Sequence, residues 1–424
     1  KDQDGNAVEV KTGNVKVVIE NGAEVDSIYG GGLTSHGDAT DKVSTASSTI
    51  EVNGKARLIY AGGCAAVGPQ IGAVVQFDAD NETATANNWV GTSNVNIGET
   101  GSVDYYFGGS YSYGGVGTVN CTVDGSLSSS PGSYSAISGT NGYRGSASMT
   151  VNGTINGDLY CSMRGYVGDT ELVNKGAIGR VSLNPDGAGV ASYGNVYVRN
   201  EGNIEKCNLD CGCTKTKIDN TISPYPAQII VEGNVEVTTA NWESNKDKYY
   251  TAQDGQTIVL LNGAKIKEGE IPPTNVAAAE VNGQYLTLAN AFAQENVTEI
   301  KLISDCAIDE AITIGESKDI TLDLNGHTIT CSTKPADWKK GAYYVFDVNG
   351  GKLTVTDTST AQPGQVIAKS AQPWPDQRMF ILRKGELNLD KGKYETNIAC
   401  VVLGADKDQQ TPYSHLKVGQ DAQL

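Results

Sequence analysis

Cations are in short supply in this sequence. Lys and Arg total 32 against 49 Asp and Glu, for a formal charge of −17 and an isoelectric point near 4.6. A phosphate backbone is bound through clustered Lys and Arg, so a nucleic-acid partner is excluded. Long apolar runs are missing too. No stretch approaches the roughly 18 apolar residues of a membrane-spanning helix, so no membrane insertion is expected of these residues. Proline is scarce, at 12 of 424 residues, while glycine reaches 51, which gives many turns without a collapsed low-complexity composition. The nine cysteines are unevenly spaced and lack the framework of a small disulfide-stapled domain. Their odd number leaves at least one unpaired. Cys121 and Cys161 sit in alternating strand patterns, which predicts buried free thiols. The chain opens on Lys1-Asp2-Gln3 with no signal-peptide pattern and stops at Ala422-Gln423-Leu424 in mid-strand, as expected of a trimmed piece of a longer protein.

What remains is alternation. Apolar residues make up 39% of the chain and fall in ordered period-2 patterns, which argues for strands and against disorder. At 424 residues the chain exceeds one ordinary core, so two domains or a repeat array are expected. From Val15 to about Thr239 a strand, a glycine corner and a second strand recur, often followed by Tyr and Gly. The clearest copies are Val17–Gly31, Thr49–Gly63 and Val95–Gly109, with corners at Gly22, Gly54, Gly101, Gly125, Gly153, Gly202 and Gly233. Solenoid coils of about 20–30 residues account for the spacing. The two widest gaps, Gly54 to Gly101 and Gly153 to Gly202, have room for two short coils each. A propeller would keep a steadier period.

Residues 243–277 read as a transition that contains the strand Thr257–Leu261 and the stiff Pro272-Pro273. After it, Asn282-Gly283 predicts a hairpin, and Thr287 caps a short helix with Leu288, Ala291 and Phe292 as its apolar face. Strand patterns follow at 299–303, 311–314, 320–330, 352–356, 386–389 and 415–418. The stretch Ile320–Thr330 is the most regular: a strand, an Asn325-Gly326 corner and a second strand.

The segments AEVNGQYLTLANAF, EIKLISD, ITLDLNGHTIT and GGKLTVTDTS resemble the opening of a right-handed parallel β-helix, similar to pectin-lyase-like surface proteins and adhesins of gut bacteria. The resemblance covers about residues 278–424 and implies that the helix near 287–294 closes the first coil. The expected fold is therefore all-β: two consecutive β-helical segments, 1–242 and 278–424, joined by 243–277. Such folds serve lyases, adhesins and phage tail proteins alike.

Polysaccharide lyases of this fold need a Lys or Arg base facing an acidic Ca²⁺ site. Asp323, Asp347, Asp357, Arg378, Arg383 and Lys384 supply the residue types, yet no Asp pair recurs at coil spacing with an Arg between. No catalytic residue is assigned. His327, one of three histidines with His36 and His415, reads as a corner residue hydrogen-bonded to backbone. Cys207, Cys211 and Cys213 form the densest thiol cluster and read as a local disulfide or free thiols in preference to a zinc site. Asp78-Ala-Asp80-Asn-Glu82 begins like a calcium loop, but Thr83 replaces the required Gly and Trp89 the bidentate Glu, so a solvated acidic loop is expected, with occasional Ca²⁺ capture as the alternative.

Tyrosine, at 20 residues, outnumbers Phe (5) and Trp (4). Tyr111, Tyr113 and Trp374 lie in polar or proline-flanked loops and are the expected ligand-binding rings. Tyr29, Tyr60 and Tyr106 recur with the coils and fit either exposed rings or a stacked ladder. The expected function is a non-catalytic, extracellular or cell-surface bacterial module that binds glycan or protein surfaces. A polysaccharide lyase or glycoside hydrolase, and a phage tail component, are the alternatives.

Overall fold

The computed structural model describes residues 9–34, 42–65, 77–78, 83–84, 88–112, 115–137, 143–161, 168–183, 195–209, 228–239, 257–270, 272–273, 275–308, 310–331, 343–369, 377–397, 399–404 and 414–424. The chain is all-β with parallel sheets. It divides into two compact units, residues 1–256 with 262–267, and residues 257–261 with 268–424.

In the first unit, the main strands alternate between two parallel sheets, and the short strands Leu33–Thr34, Cys64–Ala65 and Tyr111–Ser112 form a third. Sheet one contains Glu9–Ile19, Lys42–Val52, Asn88–Ile97, Gly115–Val123, Tyr143–Val151, Thr170–Asn174, Val196–Asn200 and Gln228–Gly233, in sequence order. Sheet two contains Glu24–Tyr29, Lys55–Tyr60, Ser102–Phe107, Ser126–Leu127, Thr154–Tyr160, Ala177–Ser182, Asn203–Asn208, Glu236–Thr238 and Lys265–Ile266. Each strand of sheet one turns a corner into the next strand of sheet two, and the pair makes one layer.

Register explains why the alternation is strict. Val17, Ile50, Val95, Cys121, Met149, Leu172, Val198 and Val231 form one column on sheet one. From Ile50 onward that column is buried. Sheet two supplies another, in which Leu159, Val181, Cys207, Val237 and Ile266 are paired in order. A one-residue slip would turn such a column out to water. Each buried Val, Leu or Ile contributes about 1.5–3 kcal/mol relative to exposure, so stacking provides the cohesion that a single layer lacks.

The corners pack as tightly as the columns. Gly125, Gly153, Gly176 and Gly202 each place their Cα where an added Cβ would overlap the carbonyl oxygen of the corner glycine one layer earlier. The same corners are tied by backbone bonds: Asn152 and Gly153 both donate to the Val123 carbonyl, at 2.8 and 2.9 Å. Of the two wide gaps, 153 to 202 does hold an additional layer, with its corner at Gly176 between Thr170–Asn174 and Ala177–Ser182. The gap from 54 to 101 does not. Lys42–Val52 pairs directly with Asn88–Ile97, and the residues between include the antiparallel strands Phe77–Asp78 and Thr83–Ala84.

The second unit opens with the hairpin Ala279–Val281 and Gln284–Leu286, whose Asn282 and Gly283 take φ of 52° and 76°. The helix Leu288–Ala293 follows as expected: the Thr287 hydroxyl accepts from the Asn290 amide at 3.3 Å, and Leu288, Ala291 and Phe292 are buried. Beyond it the parallel strands run in three ladders. The first joins Glu299–Lys301, Asp319–Asp323, the later part of Tyr343–Thr356, the middle of Gln377–Thr396 and the start of Ser414–Gln423. A second joins Cys306–Ile308, Thr328–Cys331 and Gln365–Ala368 to the end of Gln377–Thr396. A third joins Ile312–Gly315 to the early parts of the two long strands and to Ala399–Leu403. Three of the five phenylalanines fill this core. Phe292 from the helix packs 5.9 Å from Phe346, which stacks on Phe380 at 5.3 Å.

Candidate ligand-binding face

The second strands of the first three layers read E-V-D-S-I-Y, K-A-R-L-I-Y and S-V-D-Y-Y-F. Parallel pairing sets Val25 on Ala56 and Val103, and Ile28 on Ile59 and Tyr106; all but the half-buried Val25 are buried. The intervening positions face outward and place charged side chains of three layers side by side.

Glu24, Asp26, Lys55, Arg57, Ser102 and Asp104 line an open groove on this outer face. Lys55 Nζ lies 2.9 Å from Glu24 Oε1. Arg57 grips Asp26 with both arms of its fork, Nε to Oδ1 at 2.5 Å and Nη2 to Oδ2 at 2.9 Å. This pairing, with the Ser27 hydroxyl at 2.6 Å from Asp26 Oδ2, holds the Asp26 carboxyl well below the usual carboxylate range. Asp104 Oδ1 accepts from the hydroxyls of Ser129 and Ser130 at 2.8 and 2.7 Å. Further along the sheet Arg180 pairs with Asp158.

A row of rings runs beside the charges. Tyr29, Tyr60 and Phe107 are register partners and stack with centroids 5.5 and 5.1 Å apart. Tyr134 then lies edge-on to Phe107, Tyr105 and Tyr160, at 5.8, 5.6 and 5.9 Å. Tyr60, Phe107 and Ala136 are buried in a small apolar cluster of their own on this face. The stacked rings present their faces to each other. Those that reach solvent most are Tyr29 and Tyr134, 38% and 36% exposed. Of the two readings left open for Tyr29, Tyr60 and Tyr106, a ladder exists for the first two, and Phe107 takes the third rung. Tyr106 is wholly buried, because a one-residue step along a strand changes face.

The sequence reading passed over Asp26, Arg57, Asp104 and Tyr134. The signal for the first three was present, since aligning the three strands sets acid, base and acid at one outward position. Tyr134 had none, because it belongs to an irregular second strand, Tyr134–Ala136, of the fourth layer. Of the expected ligand-binding rings, Tyr111 lies on the short strand Tyr111–Ser112, which pairs with Cys64–Ala65. Tyr113 and Trp374 lie outside the described residues, as do Asp80, Glu82, His36, Cys211 and Cys213.

In the second unit, the charged residues singled out above are occupied with structure. Asp323 accepts from the Asn325 amide, the Thr358 amide and the Thr358 hydroxyl at 2.9, 2.9 and 2.6 Å. Asp357 accepts from the amides of Gly326 and Gly364 at 2.8 and 2.9 Å. Arg383 Nε bonds both Asp347 oxygens, at 3.0 and 3.2 Å, and its Nη2 donates to the Tyr344 hydroxyl at 3.1 Å. Lys384 pairs with Glu316, and Arg378 sits in register with Tyr344 and Ala399. His327 differs from expectation. Its Nδ1 approaches the Asp305 carboxylate at 3.5 Å, a side chain of the preceding layer in place of backbone. Among the described residues, no three His, Cys, Asp or Glu side chains converge to hold a metal.

Cys121, Cys161 and Cys207 are free and buried, as are Cys306 and Cys331, whereas Cys400 is partly exposed. Burial pushes the Cys121 and Cys207 thiols up to about 12 and Cys400 to about 11. Thiolates are the reactive form, so alkylation of native protein is expected to label Cys400 ahead of these five, as peptide mass spectrometry over a time course would show. Faster labelling of Cys121 or Cys207 would contradict their burial.

The chain matches no protein-family model, no curated protein and no solved structure.

Proposed function

We propose that the chain is a non-catalytic adhesive module of a bacterial cell-surface or secreted protein, built as two consecutive right-handed parallel β-helical segments of the pectin-lyase-like kind, and that it binds glycans. The observation that carries this reading is the outer face of sheet two, where the Asp26, Arg57 and Asp104 groove runs beside the ring row ending in Tyr134. Carbohydrate recognition needs those two chemistries together: planar polar groups that hydrogen-bond hydroxyls in pairs, and aromatic surface for the apolar faces of sugar rings. Layers of a parallel sheet stand about 4.8 Å apart, close to the length of one hexose ring, so an extended polysaccharide along the stack meets a comparable surface at each layer.

Glycan-array binding of the purified chain tests the reading. Asp104→Ala and Tyr134→Ala are each expected to weaken the best signal at least about tenfold, the loss of ~1.4 kcal/mol or more. Circular dichroism should be unchanged, because both residues point away from the core. An array on which the two variants match the native chain would refute this face as the site. Tyr111→Ala, Tyr113→Ala and Trp374→Ala extend the scan to the other proposed rings.

A further inference from the structure

We infer that the groove on the outer face of sheet two selects neutral polysaccharides and rejects polyuronates and other polyanionic glycans. This deepens the adhesive reading and rests on it. The charges of the groove's cations are already matched. Lys55 is bonded to Glu24, and Arg57 is bonded to Asp26 through two hydrogen bonds that use its planar fork. Arg180, the next cation along the sheet, is paired with Asp158. A uronate carboxylate entering here must compete with a protein carboxylate that is already seated.

The group left over is an anion. Asp104 receives hydroxyls from Ser129 and Ser130 on Oδ1 alone. Asp104 lines the groove, where Lys55 and Arg57 feel its charge. With three carboxylates (Glu24, Asp26, Asp104) against two cations (Lys55, Arg57), the groove carries one net negative charge, on a chain whose formal charge is −17. Like charges at this range repel a polyanion and slow its approach. A sugar hydroxyl meets no such barrier and can donate to Asp104, while the serine hydroxyls and the Lys55 and Arg57 N–H groups supply partners for its neighbours.

The arrangement also predicts how to reverse the preference. Glu24→Gln with Asp26→Asn removes the two carboxylates that occupy Lys55 and Arg57, and leaves a groove with two free cations facing one acid. The experiment is affinity electrophoresis of the full chain in gels containing a neutral glucan, mannan or galactan, and in parallel gels containing polygalacturonate or alginate, at low salt. The native chain is expected to be retarded by a neutral polymer and not by either polyuronate. The double variant is expected to gain retardation by polyuronate of at least tenfold in apparent affinity, lost again at high salt. Asp104→Asn is expected to lose neutral-polymer binding without gaining the other. Retardation of the native chain by polyuronate, or a double variant that gains none, overturns the selectivity while leaving the adhesive reading intact. Gels and arrays blank for every glycan overturn both.

Discussion

Gly153→Ala is expected to destabilise the first unit by about 3 kcal/mol, at the upper end of what one overpacked group costs. The reason is where the missing Cβ would go. At Gly153 that position overlaps the carbonyl oxygen of Gly125 and crowds that of Asp124, both backbone atoms that no rotamer change can move. Relief would require the two layers to separate, but the bonds from Asn152 and Gly153 to Val123 and from Thr154 to Gly125, at 2.8, 2.9 and 2.9 Å, resist that. The strain falls in mid-stack, with paired layers on both sides, so it cannot be shed by fraying an end. Gly13→Ala is the matched control. Gly13 lies in the strand Glu9–Ile19 with nothing within 4 Å of its Cβ direction, so a change within about 0.5 kcal/mol is expected. Urea unfolding followed by far-ultraviolet circular dichroism measures both. Equal midpoints for the two variants would show that the corners do not pack as described.

The strands and corners were legible because period-2 burial and glycine punctuation are local signals. The layer at Thr170–Ser182 escaped a clear reading for an equally local reason. Its corner, Lys175-Gly176, is followed by A-I-G-R-V-S and lacks the aromatic-and-glycine tail of the first three layers. Register was only half legible. In the second unit, Leu322 and Leu324 both fit opposite Val355 by pattern, and the partner is Leu322. Both leucines face the core, so hydrophobic pattern cannot tell them apart, and pairing decides. The site depended on register as well. Asp26, Arg57 and Asp104 are unremarkable charges on separate strands until stacking aligns them, and a one-residue error exchanged Phe107 for Tyr106. Composition pointed to tyrosine as the ring that matters. Geometry divides the tyrosines into core, ladder and surface.

The corner at Ile320–Thr330 offers the other large effect. Two consecutive layers clasp each other there through exchanged carboxylates. Asp323 reaches forward to Thr358, and Asp357 reaches back to the Gly326 amide, at 2.8 Å. Asp357 is buried, and it also receives the Gly364 amide at 2.9 Å. Asp357→Ala strips three backbone donors, the amides of Gly326, Ser359 and Gly364, of their acceptor at a buried side chain, which is expected to cost about 3 kcal/mol. Asp323 adds a pH dependence. Burial raises its pKa, but the Thr358 hydroxyl and amide, the Asn325 amide and Lys301 together outweigh that and leave it below the ordinary value. A carboxyl whose pKa is depressed by folding contributes stability that is complete above its unfolded pKa of about 4 and is lost as pH falls through the folded value. The second unit should therefore weaken in acid, and Asp323→Asn, which cannot ionise, should be less stable near pH 7 and show a flatter pH dependence below 4. Urea midpoints of the native chain and both variants from pH 7 to 2 decide it. Parallel curves for native and Asp323→Asn would mean that the carboxylate is not what the Thr358 donors hold. An unaffected Asp357→Ala would mean that the two corners are joined by their strands alone.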